Sequence, residues 1–391
     1  DASLKPLVLW LQGGPGCSSI AIGAVREVGP FLIQSNGTQL TLNDFSWNKV
    51  ANMLFLESPA GVGFSYTNDY YSIGDESTAN DSLAFLLRWF ERFPSFKSSD
   101  FYITGESYAG HYAPQLADVI YERNKAASKD SYINLKGIMV GNPILNELTD
   151  SVGAVDFAWS HGCISDKLRY NVKKECLFRQ SNKSKNCPVY YRQFLDAYSM
   201  IDDLDIYAPI CLVGINSTQH VHVAAHSLTK LDLWGRLPAS YDPCTTYYVM
   251  AYFNREDVQR ALHANTARLP HPYIPCSPLI QNWTDAPSTV LPTIQKLINV
   301  GLRFWVFSGD TDGRVPLTST RYSINKMGLK VKEEWRAWFH ERQVAGWVET
   351  YEGGLTLATV RGAGHNVPTF APGQSLSLFA HFLTNQTLPS S

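Results

Sequence analysis

The sequence lacks the features that direct a protein to a membrane, to nucleic acid or to a metal. Its longest apolar runs, such as residues 7–11 and 304–307, are far shorter than the roughly 20 residues of a membrane-spanning helix. The formal net charge is only −2, and there is no long basic run to follow a phosphate backbone. The seven cysteines lack the paired C-x-x-C spacing of a zinc site. We therefore expect no membrane or nucleic-acid partner, no metal and no cofactor.

Cysteines and glycosylation sequons indicate an oxidising compartment. Because the cysteines do not have the spacing of a metal site, we expect them to form disulfides. Six Asn-X-Ser/Thr sequons are present, and we expect only some to carry a glycan because sequons also arise by chance; they are Asn36, Asn80, Asn182, Asn216, Asn282 and Asn385. The first apolar strand begins at residue 7, so we expect a signal peptide, and a first hairpin, to have preceded it. The sequence predicts passage through the secretory pathway.

Short apolar strands alternate with helical segments over most of the chain, which predicts a mainly parallel sheet covered by helices on both faces. From about residue 147 to 250 the strand pattern stops, and Lys, Asn, Tyr and Cys accumulate. We interpret 147–250 as an inserted, mostly helical lid. Residues 1–146 and 251–391 would then form the two parts of one α/β core.

A serine on a predicted strand-to-helix turn is the strongest functional signal. Ser107 lies in the pentapeptide Gly-Glu-Ser-Tyr-Ala, between an apolar strand and a helical stretch. A nucleophile on such a turn needs small neighbours, which Gly105 and Ala109 supply. An ordinary turn serine would show the same pentapeptide, so the interpretation depends on partners elsewhere in the chain.

Two later loops supply those partners. Asp310 and Asp312 follow one predicted strand, and His365 follows another. His365 would take the serine proton, and a carboxylate would hold the imidazole in the right tautomer. We favour Asp312 over Asp310, which directly follows its strand and could cap the turn. The chain order Ser, Asp, His is typical of α/β-hydrolases, so we predict that fold.

The negative charge that develops on the substrate carbonyl needs two backbone N–H donors. Tyr108, the residue after the nucleophile, would supply one. The other is expected from Gly14, in the glycine-rich loop 12–19 after the first strand. Loops of this kind also cradle phosphates in other proteins, but this one lacks both a G-K-[ST] ending and a G-x-G-x-x-G spacing.

Five sequence blocks, in order along nearly the whole chain, resemble the serine carboxypeptidases, particularly the plant type; they are residues 9–19, 57–66, 105–112, 308–312 and 362–368. The resemblance implies an α/β-hydrolase fold and a secreted or vacuolar exopeptidase. It would act at acidic pH on peptides or small esters through an acyl-enzyme on Ser107. Family members are often dimers, so a homodimer is expected by analogy.

The resemblance also implies a site for the free carboxylate of the substrate, formed by Gln12, Gly13 and Glu106. A glutamate repels a carboxylate unless a proton is shared, so we expect Glu106 to be protonated and paired with Glu27. Binding would then weaken as pH rises through the apparent pKa of the pair. The alternative is that Glu106 is a solvated turn residue and Glu27 a helix-terminal charge. Gln12 also departs from the Asn usual in the family.

The family's disulfide pattern implies three bridges and leaves Cys163 free, although sequence alone does not fix connectivity. The bridges would be Cys17 with Cys276, Cys176 with Cys187, and Cys211 with Cys244.

Two other functions are compatible with the scaffold. Plant relatives include acyltransferases that use the same triad and commonly carry Asp where Glu106 stands. A non-catalytic binding protein is the third reading, and the presence of Ser107, Asp312 and His365 argues against it.

Overall fold

An eight-stranded, mostly parallel sheet lies at the centre of the described molecule. A computed structural model describes residues 4–34, 37–68, 73–177, 184–212, 241–264, 269, 271–280 and 282–391. The strand order is β4-β1-β5-β6-β7-β10-β9-β8, and β2 pairs with β3 in a separate small sheet. The strands are β1 (Leu7–Leu11), β2 (Phe31–Ile33), β3 (Leu40–Leu42), β4 (Asn52–Phe55), β5 (Phe101–Glu106), β6 (Leu135–Gly141), β7 (Arg303–Gly309), β8 (Val331–His340), β9 (Gln343–Tyr351) and β10 (Leu355–Val360).

The parallel strands form because each is a short apolar run that can be buried on both faces. Every residue of β1, β5 and β10 is buried. Strand β1 pairs in parallel with β5 from Leu7 opposite Phe101 to Leu11 opposite Gly105. The loops that follow these two strands therefore leave the sheet side by side at its carboxyl edge.

Helices cover both faces of the sheet. One apolar layer packs α1, α2 and α8 against one face, and the other packs α11 and Trp47 against the opposite face. A π-helix, Ser19–Glu27, follows the first strand and its loop. The α-helices are α1 (Asp75–Arg92), α2 (Ala109–Asn124), α3 (Glu147–Ser160), α4 (Asp166–Val172), α5 (Cys187–Tyr198), α6 (Thr245–Phe253), α7 (Glu256–Ala261), α8 (Leu291–Asn299), α9 (Leu317–Lys326), α10 (Val367–Phe370) and α11 (Pro372–Thr384).

Helices α3, α4 and α5 share a small apolar cluster of their own. Helix α3 is also fastened to core helix α9, where Thr149 and Ser323 hydroxyls lie 2.7 Å apart and the Ser319 hydroxyl donates to the Asp150 carbonyl at 2.8 Å. Within the described parts of 147–250 the regular elements are helical. The domain boundaries at 146 and 250 stay a prediction.

The predicted fold class, an α/β fold with a mainly parallel sheet flanked by helices, is confirmed. None of the described helices is long and apolar enough to cross a membrane. Three predicted sequons, Asn80, Asn282 and Asn385, have exposed side chains. The other three, Asn36, Asn182 and Asn216, lie outside the described residues.

Candidate active site

Ser107 occupies a strained turn between β5 and α2. Its backbone φ is 62°, a left-handed value that is uncommon for a residue other than glycine. The turn is fixed at both sides: the Ser107 N–H donates to the Gly141 carbonyl at 2.9 Å, and the Gly110 N–H donates to the Ser107 carbonyl at 2.9 Å. This geometry presents the side chain at the carboxyl edge of the sheet, as a nucleophile elbow does.

The turn also accounts for its small neighbours. A Cβ atom added to Gly105 would lie 2.2 Å from the Leu11 carbonyl oxygen and 2.7 Å from the Ala109 Cβ. Side chains larger than those at 105 and 109 would force β1 and α2 apart.

His365 and Asp312 form a buried pair on the loops after β10 and β7. His365 Nδ1 lies 2.8 Å from Asp312 Oδ2, and Asp312 is 0% exposed. The carboxylate also accepts hydrogen bonds from the Asn142 side chain at 2.6 Å and from the Arg314 backbone N–H at 2.7 Å. These donors hold the carboxylate toward the imidazole, which fixes the ring and its tautomer.

Asp310, the competing carboxylate, has a different environment. It accepts a hydrogen bond from the Gly362 N–H at 2.6 Å and thereby joins the loops after β7 and β10. Of the two aspartates, Asp312 is the one that contacts His365.

The serine and histidine loops are joined by a hydrogen bond between the residues adjacent to Ser107 and His365. Asn366, next to His365, donates a hydrogen bond to Oε1 of Glu106, next to Ser107. Among the described residues, the Ser107 hydroxyl has no hydrogen-bond partner. Enzyme hydrogen bonds between nucleophile and base often tighten only when substrate binds. The catalytic roles of Ser107, His365 and Asp312 stay a prediction.

The glycine-rich loop packs directly on the elbow. A Cβ atom on Gly13 would lie 2.4 Å from the Tyr108 backbone nitrogen and 2.7 Å from the Ser107 Cβ. Gly14 has φ of 117°, which a residue with a side chain rarely adopts. The backbone N–H groups of Gly14 and Tyr108 have no acceptor in the part of the chain that the structure describes. Both predicted oxyanion donors are therefore unpaired among the described residues.

A disulfide holds this loop in place. The structure contains the three bridges that the resemblance implies, Cys17–Cys276, Cys176–Cys187 and Cys211–Cys244, and it leaves Cys163 as a thiol. Around the first bridge, the Ser18 N–H donates to the Pro275 carbonyl at 2.7 Å and the Ser277 N–H donates to the Gly16 carbonyl at 2.9 Å. The glycine-rich loop is thus tied to a segment far away in sequence.

Two carboxyl groups are buried together beside the elbow. Glu106 is 0% exposed and Glu27 is 3% exposed, so neither is solvated. The Asn366 amide donates to Oε1 of both, at 2.9 Å for Glu27. Oε2 of each glutamate is buried without a hydrogen-bond partner. A shared proton would satisfy both of these oxygens.

The surroundings favour the protonated form of this pair. Burial raises the pKa of Glu27 to about 7, against opposing effects of the Arg26 charge and of hydrogen bonds. Burial, together with the charge of Glu27, raises the pKa of Glu106 well above its usual range. The pair therefore holds protons in acid and releases them as pH rises.

Gln12 contacts the carboxyl pair with a fixed amide. Its Nε2 donates to Glu106 Oε1 at 2.6 Å, and its Oε1 accepts from the Trp10 indole at 3.0 Å. The Gln12 side chain is longer than the Asn usual in the family. Hydrogen bonds hold both the nitrogen and the oxygen of its amide.

A cavity of about 630 Å³ opens beside the elbow. Tyr108 and His111 form one wall, and Arg314 and Val315, just after Asp312, lie on another. Much of the remaining lining is apolar and comes from the segment 155–195, as Val155, Val172, Leu177, Phe194 and Leu195; the carboxylates of Glu147, Asp150 and Asp203 also line the cavity. The cavity thus borders Tyr108, the residue after Ser107.

Three contact residues of this site were not predicted from the sequence: Asn366, Asn142, and Asp75, whose carboxylate accepts a hydrogen bond from the Tyr108 hydroxyl at 2.8 Å. Asn366 directly follows His365, and Asn142 stands in a Gly-Asn-Pro turn at the end of a buried strand with φ of 41°. Polar residues at strand ends are a signal for such roles. Asp75 lies at the first turn of α1 and has no comparable signal.

The described residues contain no group of three or more His, Cys, Asp or Glu side chains arranged to hold a metal ion.

Comparisons with known proteins show which family the chain resembles. The serine carboxypeptidase family model, Peptidase_S10, matches residues 1–385. Serine carboxypeptidase-like 35 of Arabidopsis thaliana is 60% identical over 399 residues, covering 100% of this chain and 83% of that protein. Serine carboxypeptidase 24 of the same plant is 50% identical and covers 99% of this chain and 84% of that protein.

A solved structure shares the fold. It is Kex1(Δ)p, a prohormone-processing carboxypeptidase from Saccharomyces cerevisiae, with a TM-score of 0.77 and 23% sequence identity over 97% of this chain and 83% of that chain. At that identity the likeness concerns the fold. The family model and the plant relatives, which extend over the whole chain, establish that the chain belongs to the serine carboxypeptidase family.

Proposed function

We propose that this chain is a serine carboxypeptidase that releases C-terminal residues from peptides at acidic pH. The observation that carries the proposal is the buried Glu106 and Glu27 pair beside Ser107, with raised pKa values. A protonated glutamate can donate a hydrogen bond to a carboxylate, whereas an ionised one repels it. A substrate with a free C-terminus is the ligand that this arrangement suits.

In the proposed reaction, Ser107 Oγ attacks the last peptide carbonyl while His365 takes its proton. Asp312 stabilises the imidazolium that forms. The N–H groups of Gly14 and Tyr108 donate to the carbonyl oxygen as it becomes negative. His365 then protonates the leaving amine, and the C-terminal amino acid departs from an acyl-enzyme. Water, activated by the same histidine, releases the shortened peptide.

The carboxylate site sets where the enzyme cuts. Gln12, Gly13 and the protonated Glu106 would hold the terminal carboxylate, so that only the last peptide bond reaches Ser107. Gln12 Nε2 already points at Glu106, 2.6 Å away. A carboxylate placed beside this pair would receive one donor from the Gln12 amide and one from the protonated Glu106.

The test is release of the terminal residue from a blocked dipeptide near pH 5. We expect turnover with the free acid, little turnover with the matched dipeptide amide, and none with Ser107→Ala. A folded protein that releases no residue from any free-acid dipeptide would refute the proposal. Equal turnover of acid and amide would refute the carboxylate site.

Acyl transfer is the alternative use of the same acyl-enzyme. An acyltransferase would pass the acyl group from Ser107 to a second alcohol instead of water. Incubation with a glucose ester and an acceptor alcohol separates the two: a transferred acyl group favours the transferase, and free acid favours the hydrolase.

We further propose peptides or small esters as substrates, a secreted or vacuolar location, and a homodimer. The three disulfides fit an oxidising compartment. Removal of N-glycans from the protein isolated from its tissue tests the secretory route, and light scattering tests the dimer. A protein without glycan and with a monomeric mass would contradict both.

A further inference from the structure

A buried aspartate behind the elbow is not used by the proposed reaction. Asp75, at the first turn of α1, is 2% exposed. Its Oδ1 accepts hydrogen bonds from the Tyr108 hydroxyl at 2.8 Å and from the Trp283 indole at 2.7 Å. Its Oδ2 lies 2.9 Å from His111 Nδ1 and 2.7 Å from Gln115 Nε2. One carboxylate thus contacts four side chains.

These partners surround the residue that follows the nucleophile. Tyr108, His111 and Gln115 belong to the elbow and the first two turns of α2, whereas Trp283 comes from a different loop. The Tyr108 ring stacks on His111 with centroids 4.8 Å apart, and it meets Trp283 edge to face at 5.7 Å. The Tyr108 side chain is therefore held on two sides by rings and at its tip by Asp75.

Asp75 is suited to this role because it stays charged. Burial opposes its ionisation, but the hydrogen bonds from His111, Tyr108, Trp283 and Gln115 outweigh burial and lower its pKa. Hydrogen bonds to an ionised acceptor are roughly twice as strong as neutral ones. The hydroxyl of Tyr108 is thus anchored more firmly than by a neutral partner.

We infer that Asp75 is a positioning residue: through the Tyr108 hydroxyl it fixes the backbone N–H that donates to the developing oxyanion. The inference rests on the proposed function. The Tyr108 hydroxyl and backbone N–H belong to one residue. A ring that is held at its hydroxyl and on two sides therefore also restricts the backbone to which it is attached. The backbone of Tyr108 is also restricted directly, because Gly13 packs against its nitrogen.

A double-mutant cycle tests this coupling. Asp75→Asn keeps the shape but leaves one oxygen where the aspartate offers two, and Tyr108→Phe removes only the hydroxyl. Complete removal of one oxyanion donor costs about 10² to 10³ in kcat in other enzymes. Since here the donor is only less well oriented, we expect each single variant to lose about tenfold in kcat.

The cycle gives distinct outcomes for coupled and independent residues. If Asp75 acts through Tyr108, the double variant loses the same factor of about ten as either single variant, with KM unchanged. Rates are expressed per active site titrated with a fluorophosphonate, so that loss of folded protein does not count as loss of kcat. Multiplied losses, about 100-fold in the double variant, would overturn the inference.

A matched control is available on α3. Asp156 is also buried and accepts hydrogen bonds from Arg169 at 2.7 Å, Lys173 at 2.8 Å and the Tyr322 hydroxyl at 3.1 Å. It has no contact with the elbow in the described structure. Asp156→Asn and Tyr322→Phe should leave kcat per titrated site unchanged.

Two further outcomes are decisive. If Asp75→Asn does not fold, Tyr108→Phe decides alone: a lower kcat at unchanged KM supports the inference, and wild-type kcat overturns it. If the unsubstituted protein releases no residue, the proposed function fails and this inference falls with it. An active unsubstituted protein with an additive cycle refutes the inference alone.

Discussion

The pH dependence of carboxylate binding follows from the buried glutamate pair. Ser107→Ala would allow binding to be measured without turnover. Below pH 6 the pair retains its proton, and Glu106 can donate a hydrogen bond to the substrate carboxylate. As pH rises through about 7, the pKa to which burial raises Glu27, the pair gains a negative charge that faces the ligand.

The magnitude follows from the ionisation itself. If the ionised pair does not bind the carboxylate, Kd rises tenfold for each pH unit above the apparent pKa, which is about 1.4 kcal/mol per unit. For a pKa of about 7, we expect Kd to be roughly constant from pH 5 to 6 and about tenfold weaker at pH 8.

The assay is calorimetric titration of a blocked dipeptide into Ser107→Ala from pH 5 to pH 8. The matched ligand is the same dipeptide as its C-terminal amide, whose Kd should not change with pH. The triple variant Ser107→Ala, Glu27→Gln, Glu106→Gln should bind the free acid with a Kd independent of pH. A pH-independent Kd for the free acid with the Ser107→Ala protein would refute the reasoning.

Three other predictions follow from the same contacts. Asp312→Asn should lower kcat by about 10⁴ with the fold intact, because His365 loses the acceptor that sets its tautomer; near-normal kcat would contradict this. Gly13→Ala should lower kcat by at least about 10², since the new Cβ meets the Tyr108 nitrogen and shifts the loop; unchanged kcat would show that the loop is not part of the site. The raised Glu27 pKa stabilises the fold fully below pH 4.5, and the contribution, up to about 3 kcal/mol, is lost as pH rises through about 7. The free energy of unfolding of Glu27→Gln, measured with urea, should lack this pH dependence. If the unfolding free energies of both proteins changed equally with pH, the prediction would be contradicted.

The parallel core could be predicted because its strands are continuous apolar runs. Strands β1, β5 and β7 are buried on both faces, and the apolar runs 7–11 and 304–307 lie within two residues of the observed β1 and β7. The turns that carry Ser107 and His365, after β5 and β10, were also recognisable, because a serine between small residues and a histidine in a Gly-Ala-Gly-His loop are local patterns.

The long β8–β9 hairpin could not be predicted from the same signals. Charged residues interrupt the apolar pattern of β8, which lies at the edge of the sheet and is only partly buried. The turn residues Glu341 and Arg342 both have positive φ, at 48° and 63°. Turns of this kind usually carry Asn or Gly, so the sequence gives no hairpin signal there.

Contacts within the site depend on tertiary packing. Asn366 bonds to Glu27 across 339 residues of sequence, and Asp75 bonds to Tyr108 across 33. No periodicity or motif records such a pairing, because it arises only when the sheet brings the loops together. The resemblance to a family supplied Glu27 and Glu106, whereas Asn366 and Asp75 emerged from the structure.

The central claim is that Ser107 is a nucleophile activated by His365. Reaction with a fluorophosphonate, followed by mass spectrometry of the peptides, tests it most directly. We expect one equivalent of label on Ser107, none on Ser107→Ala, and labelling at least about 10³ times slower on His365→Ala. A folded protein that takes up no label, or that carries it on a residue other than 107, would contradict the claim.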